Sequence, residues 1–154
     1  VGPIDVYLGR DFLTSSRVHF TPPAGRLRLG LGVAQGVKVR RNARYHEASA
    51  GLMGGSTVLH HDVEIEAVSH LDAPIDLEVR ERVPVLRERE DDIKLTLRDV
   101  HPAWEPYQLD DAPLRGGYRW RLTLEPRARR TLRFGYDVRI ASKNELIGGN
   151  RRES

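Results

Sequence analysis

Apolar and polar residues alternate with a period of two along most of this chain, the pattern of strands that bury one face. In "PIDVYL", Ile4, Val6 and Leu8 share a side, and in "GRLRLGLGV", Leu27, Leu29, Leu31 and Val33 do the same. "GVKVRR" sets Val37 and Val39 against Lys38 and Arg40, and "HDVEIEAVSH" sets Val63, Ile65 and Ala67 against Asp62, Glu64 and Glu66. "PIDLEVRERVPV" contributes Ile75, Leu77, Val79, Val83 and Val85, and "DIKLTLRDV" contributes Ile93, Leu95 and Leu97. The longest alternation is "GYRWRLTLEPRARRTLRFGYDVRI", with Tyr118, Trp120, Leu122 and Leu124 before the break at Pro126 to Arg129. Leu132, Phe134, Tyr136, Val138 and Ile140 follow it.

The runs are separated by turn chemistry in "TPPAG", "GLMGGS", "HLDAP", "REREDD" and "LDDAPLRGG", which leaves no room for a long amphipathic helix. The best helix candidate, "NARYHEASAGLMG", reads equally well as a strand extension and a loop. Short strands at regular spacing predict an all-β antiparallel sandwich of roughly eight to ten strands, immunoglobulin- or fibronectin-like in general architecture. The terminal alternation predicts a hairpin with Trp120 opposite Tyr136 and Arg119 opposite Asp137, its arginines outward beside acidic neighbours. Residues 1–140 are expected to form one domain, and the aperiodic residues 141–154 a flexible tail.

At 154 residues, with 39% hydrophobic and 31% charged residues, the chain can bury a single core. No apolar run reaches the roughly 20 residues a membrane helix needs, so no membrane insertion is expected. There is no cysteine, which removes disulfides, thiolate metal sites and cysteine nucleophiles. The 25 basic residues are interleaved with 22 acidic ones for a net charge of +3. Only Lys38, Lys94 and Lys143 are lysines, and stacking aromatics are few, so nucleic acid is not an expected partner. The start at "VGPIDVYLG" reads as the interior of a longer protein.

Candidate chemistry is sparse. His60 and Asp62 of "HHD" share a strand face and could hold a metal or ligand with help from a neighbour, with His46 and Glu47 upstream. The spacing matches no zinc pattern, and Glu64 and Glu66 continue the same polar face, so a solvated strand face accounts for the cluster. Serines occur without a "G-x-S-x-G" elbow, and the glycines form neither a dinucleotide fingerprint nor a P-loop. "EREDD", Glu88 to Asp92, reads as a solvated turn. No catalytic, cofactor-binding or metal residue is assigned, and no cofactor is expected. "HPAWEPYQLDD" carries Trp104 and Tyr107 on a proline-broken connection, where they either meet a sugar or protein partner or cap the core. Glu81 is in phase with Val79 and Val83, so it is expected to be a buried structural acid paired with an arginine.

The order of "GPIDVYLGRDF", "LGLGVAQGVKVRR", "GLMGGSTVLHHDVEIEAVSHLDAPIDLEVRERVPVLREREDDIKLTL" and "YRWRLTLEPRARRTLRFGYDVRI" resembles the C-terminal β domain of the mucoidy inhibitor A-like family, a domain of unknown function (DUF4139). The resemblance spans residues 2 to 140. The chain departs from it at "TPPAG", where relatives often have an acidic residue before the apolar run. The resemblance implies a bacterial protein, cytoplasmic or of the cell envelope, with a small N-terminal domain and a helical middle region before this domain. It supplies no catalytic residue. The function expected is a non-catalytic interaction or assembly domain that packs on other domains of its own chain or forms a homo-oligomer. The alternative is an envelope glycan-binding or hydrolytic domain using Trp104, Tyr107, His60 and Asp62.

Overall fold

A computed structural model describes residues 1–50, 55–86, 92–108 and 115–141. Two expectations, the flexible tail and most of the acidic turn at Glu88, fall outside these residues. The described elements are all β. By their contacts the residues divide into two compact units, Val1–Gln35 and Gly36–Ser154, where one domain over residues 1–140 was expected.

The first unit is a hairpin of β1 (Gly2–Leu8) and β2 (Asp11–Val18), followed by irregular chain. Its turn uses Gly9 at φ 63°, a left-handed conformation that costs glycine little. Tyr7 lies opposite Phe12, and their rings meet edge to face at 5.6 Å. The alternating "GRLRLGLGV" does not form the expected strand. Gly32, at φ 94°, breaks the extended backbone that a ladder requires, and Leu27, Leu31 and Val33 are exposed. Strand β2 was not anticipated, because "DFLTSSRV" has no clean alternation.

The second unit is an antiparallel sandwich. Its strands are β3 (Val37–Ala50), β4 (Ser56–Ser69), β5 (Ile75–Arg82), β6 (Ile93–His101), β7 (Glu105–Pro106), β8 (Gly117–Leu124) and β9 (Arg129–Ala141). One sheet has the order β3-β4-β9-β6, and the other β5-β8-β7. The ambiguous "NARYHEASA" is thus a strand extension. Val63, Ile65, Leu132 and Phe134 from the first sheet pack with Trp120 and Val83 from the β5-β8 side. These are the alternating residues that the sequence placed inward.

The predicted terminal hairpin is wrong. Strand β8 pairs with β5 and β7, while β9 pairs with β4 and β6. The connection between β8 and β9 is an arch that carries the chain from one sheet to the other. Arg127 takes a φ of 55° there, its N–H donates to Leu71 O at 3.2 Å, and Ser69 N–H donates to Ala128 O at 2.9 Å. Two physical reasons favour the arch. It places the apolar faces of β8 and β9 against each other, with the Trp120 and Phe134 rings 6.0 Å apart. It also sets each arginine-rich strand beside an acidic one: Arg133 lies opposite Glu64 at 2.9 Å, and Arg121 opposite Glu78 at 3.2 Å. A β8-β9 hairpin would have set two basic strands side by side. The arginines do face outward, as expected.

Candidate functional site

The polar residues of "HHD" lie on the outer face of the four-stranded sheet. His46, His60, Asp137 and Thr96 form one row across β3, β4, β9 and β6. Arg44, Asp62, Gly135 and Arg98 form the next. The His46 and His60 rings stack at 4.4 Å, and His60 Nδ1 lies 2.8 Å from Asp137 Oδ1.

Arg98 is the centre of this face. Its Nε donates to Asp137 at 2.7 Å, while its two terminal nitrogens meet Asp62 at 2.7 Å and Asp99 at 3.0 Å. It reaches Asp62 by lying across β9 at Gly135, where a Cβ would stand 3.1 Å from both the guanidinium carbon and Asp62 Oδ1. A bulge in β6 beyond Arg98, with Asp99 at φ 54°, completes the acidic surround. Burial pushes the Asp137 carboxyl up, but hydrogen bonds from Arg98 and His60 outweigh it and hold the group below the usual carboxylate range. The same carboxylates push the Arg98 guanidinium up. The face therefore works as an ionic clasp that ties β4, β9 and β6 together, with β3 joined to it through the stacked His46 ring. Beside it lies a shallow depression of about 190 Å³ bordered by Asn42, Arg44, Glu64 and Arg133.

His61 points the other way, toward the interior, between Tyr45 and Tyr136 at ring distances of 5.0 and 4.5 Å. Burial lowers its pKa despite the nearby Asp62 and Asp137.

Trp104 and Tyr107 belong to the other sheet's surroundings. The Trp104 ring stacks on Tyr118 at 4.3 Å and touches Trp120 and Phe134, each at 4.9 Å. Trp120 Nε1–H donates to Pro102 O at 2.7 Å, fastening this connection to the core. Tyr107 is buried, with the guanidinium carbons of Arg80 and Arg119 over its ring at 4.5 and 5.1 Å. These two arginines oppose each other on adjacent strands. The aromatic face between them, with Glu78 and Glu105 alongside, offsets their repulsion. The Tyr107 hydroxyl is buried without a hydrogen-bond partner. A second depression of about 410 Å³ borders Asp76–Glu78 and Arg121–Thr123. Of Trp104, Tyr107, His60 and Asp62, only Asp62 borders either depression.

Glu81 faces inward with 11% of its side chain exposed, and Arg41 Nε of β3 donates to it at 2.7 Å. The pair joins the two sheets where their edge strands β3 and β5 come together. Sequence reasoning expected an arginine partner but could not name Arg41, which lies forty positions earlier in the chain. Arg98, Asp137 and Gly135 were also missed as a group, because only the β4-β9-β6 pairing assembles them.

The remaining feature is an edge. Strand β3 runs 14 residues in unbroken register with β4. Its other side meets no strand among the described residues. Val39 and Tyr45 are exposed along it, and it contains neither proline nor bulge, two of the usual protections of an edge.

No curated protein and no solved structure matches this chain. A family model matches residues 6–142, covering every strand from β2 to β9 and the end of β1, and the chain belongs to the family described as Domain of unknown function (DUF4139).

Proposed function

We propose that this domain is a non-catalytic interaction or assembly module that recruits its partner by adding a strand at the open β3 edge. One observation carries the reading: β3 is long and regular, pairs on one side only among the described residues, has neither proline nor bulge, and offers about 45 Å of backbone donors and acceptors. The charge clusters elsewhere support it, because each is consumed in holding strands together. The finer assignment, to the C-terminal β domain of bacterial mucoidy inhibitor A-like proteins, belongs to the same proposal. It rests on "LGLGV" with "VKVRR", on "ERVPV" followed by "IKL", and on the run to "RTLRFGYDV". Glycan binding or hydrolysis is the less favoured reading, since Trp104 and Tyr107 are engaged in packing and His60 and Asp62 in the clasp.

The test is amine cross-linking in cells, using Lys38 on β3 as the reactive group, with the wild type and Tyr45→Glu. Partners cross-linked to the wild type and lost in the variant, at unchanged Tm, are expected. An identical partner set in both would remove the edge from the reading. A glycan-array hit abolished by His60→Ala at unchanged Tm would replace it.

A further inference from the structure

We infer that the aromatic string of the second unit makes Tyr45 the site at which one-electron oxidation of the core tryptophans is discharged. The period of two builds the string. In one row across β3, β4 and β9, Tyr45 lies opposite His61, and His61 lies opposite Tyr136. Phe134 stands two residues before Tyr136 and so shares its face. From Trp104 the rings follow one another at contact distances: Phe134 at 4.9 Å, Tyr136 at 6.5 Å from it, then His61 at 4.5 Å and Tyr45 at 5.0 Å. The string thus runs from the core to β3, where the Tyr45 ring is exposed. A radical that moves through ring contacts needs no open surface, only these contacts within one unit.

Protons set the direction. A one-electron oxidant of the radical class, such as the azide radical, takes an electron from an indole and becomes an anion. The indole cation then loses its N–H proton to water. The Trp120 N–H is tied to Pro102 O at 2.7 Å, which leaves the partly exposed Trp104 to lose it. The indolyl radical is reduced, and takes a proton back from water, when a tyrosine farther along gives up an electron. A tyrosine does so readily only if its phenolic proton has an acceptor. Tyr45 Oη lies 3.5 Å from Glu47 Oε2, so its electron leaves through the rings while its proton goes to that carboxylate. Tyr118 stacks on Trp104 at 4.3 Å, but neither it nor Tyr136 donates to a carboxylate among the described residues. Burial also holds the Tyr136 phenol in its protonated form. Because burial lowers the His61 pKa, the imidazole adds no positive charge to the path near neutral pH.

With two tryptophans and five tyrosines in the chain, the radicals can be assigned by substitution. Pulse radiolysis of the whole chain near neutral pH, with the azide radical as oxidant, reads both species by their absorption. In the wild type the indolyl signal is expected to decay as the tyrosyl signal grows, at a rate independent of protein concentration. Tyr45→Phe is expected to lose that growth at unchanged Tm, and Tyr118→Phe to keep it. Glu47→Gln, which retains the side-chain shape but removes the proton acceptor, is expected to slow the growth at least about tenfold. Growth that survives in Tyr45→Phe, disappears in Tyr118→Phe, or scales with protein concentration overturns the assignment of Tyr45. No tyrosyl growth in the wild type overturns the string as a path, and an unchanged rate in Glu47→Gln overturns the proton route that selects Tyr45.

Discussion

Glu81→Gln and Glu64→Gln form a matched pair of perturbations. Both residues lie in strands, both accept from an arginine Nε, and the distances are nearly equal at 2.7 and 2.9 Å. They differ in burial: the Glu81 side chain is 11% exposed, whereas Glu64 is 43% and its partner Arg133 64% exposed. Glutamine keeps the acceptor oxygen and removes the charge. At Glu81 an ion pair in the charge-assisted range of about 1.5–3 kcal/mol becomes a bond from the still-charged Arg41 to a neutral acceptor, and Arg41 loses its counter-ion, for a net loss of about 1–1.5 kcal/mol. An exposed pair such as Glu64–Arg133 contributes about 0.2–1 kcal/mol, of which the substitution removes only a part. In a chain of this size about 1 kcal/mol moves Tm by roughly 2–4 °C. Thermal unfolding followed by circular dichroism should therefore show Glu81→Gln lowered by about 2–6 °C and Glu64→Gln by less than about 2 °C. Adding Arg41→Gln to Glu81→Gln should cost less than the sum of the two separate changes. Equal shifts for the two glutamates would refute the claim that burial sets the strength of the sheet-joining pair.

Cysteines placed at the opposed positions 78 and 121 should form a disulfide without loss of fold, whereas a pair at 119 and 137 should not. Oxidation rates read by gel shift would distinguish the arch from a hairpin. Tyr107→Phe removes a buried hydroxyl that has no partner, so it should leave Tm unchanged or raise it slightly; a fall of more than about 1 kcal/mol would contradict this. Because burial depresses the His61 pKa, the unfolded chain takes up a proton first, and stability should decline as the pH falls below about 6.5. His61→Phe, which retains a ring between Tyr45 and Tyr136, should flatten that decline in urea titrations. Asp137 titrates with the sign of a stabilised carboxylate: its contribution is complete above about pH 4 and is lost as the pH falls through its lowered folded value, a loss that Arg98→Met should reduce.

The facing of side chains was legible in the sequence because it depends only on a period of two. Ile65, Ala67, Trp120, Leu132 and Phe134 were all read as inward and are buried. Pairing was not legible in the same way. The Pro126–Arg129 break suits a hairpin as well as an arch, and only the distant acidic strands β4 and β5 decide between them. The alternation of Leu27 to Val33 misled because pattern alone does not register the backbone conformation of Gly32. At the candidate site, His60 and Asp62 were recognisable as a polar pair. Their true partners, Asp137 and Arg98, come from strands whose neighbours the sequence does not announce. The β3 edge was hidden for a related reason: whether a strand ends a sheet is a property of topology, not of its own residues.

The two sheets of the second unit share a dependence on the end of the described chain. Strand β9 is the central strand that separates β4 from β6, and its ladder with β4 begins only where Val68 meets Arg129. During synthesis β4, β5 and β6 all leave the ribosome while the strand that joins β4 to β6 is still being made. The arch removes the shortcut that a local terminal hairpin would have offered, so closure of the core waits for long-range pairing. Until then the apolar faces of β4 and β6 are open to water and to one another's copies. Folding of this unit is therefore a late event, completed after translation of β9 and in the interval when a chaperone would find most to hold.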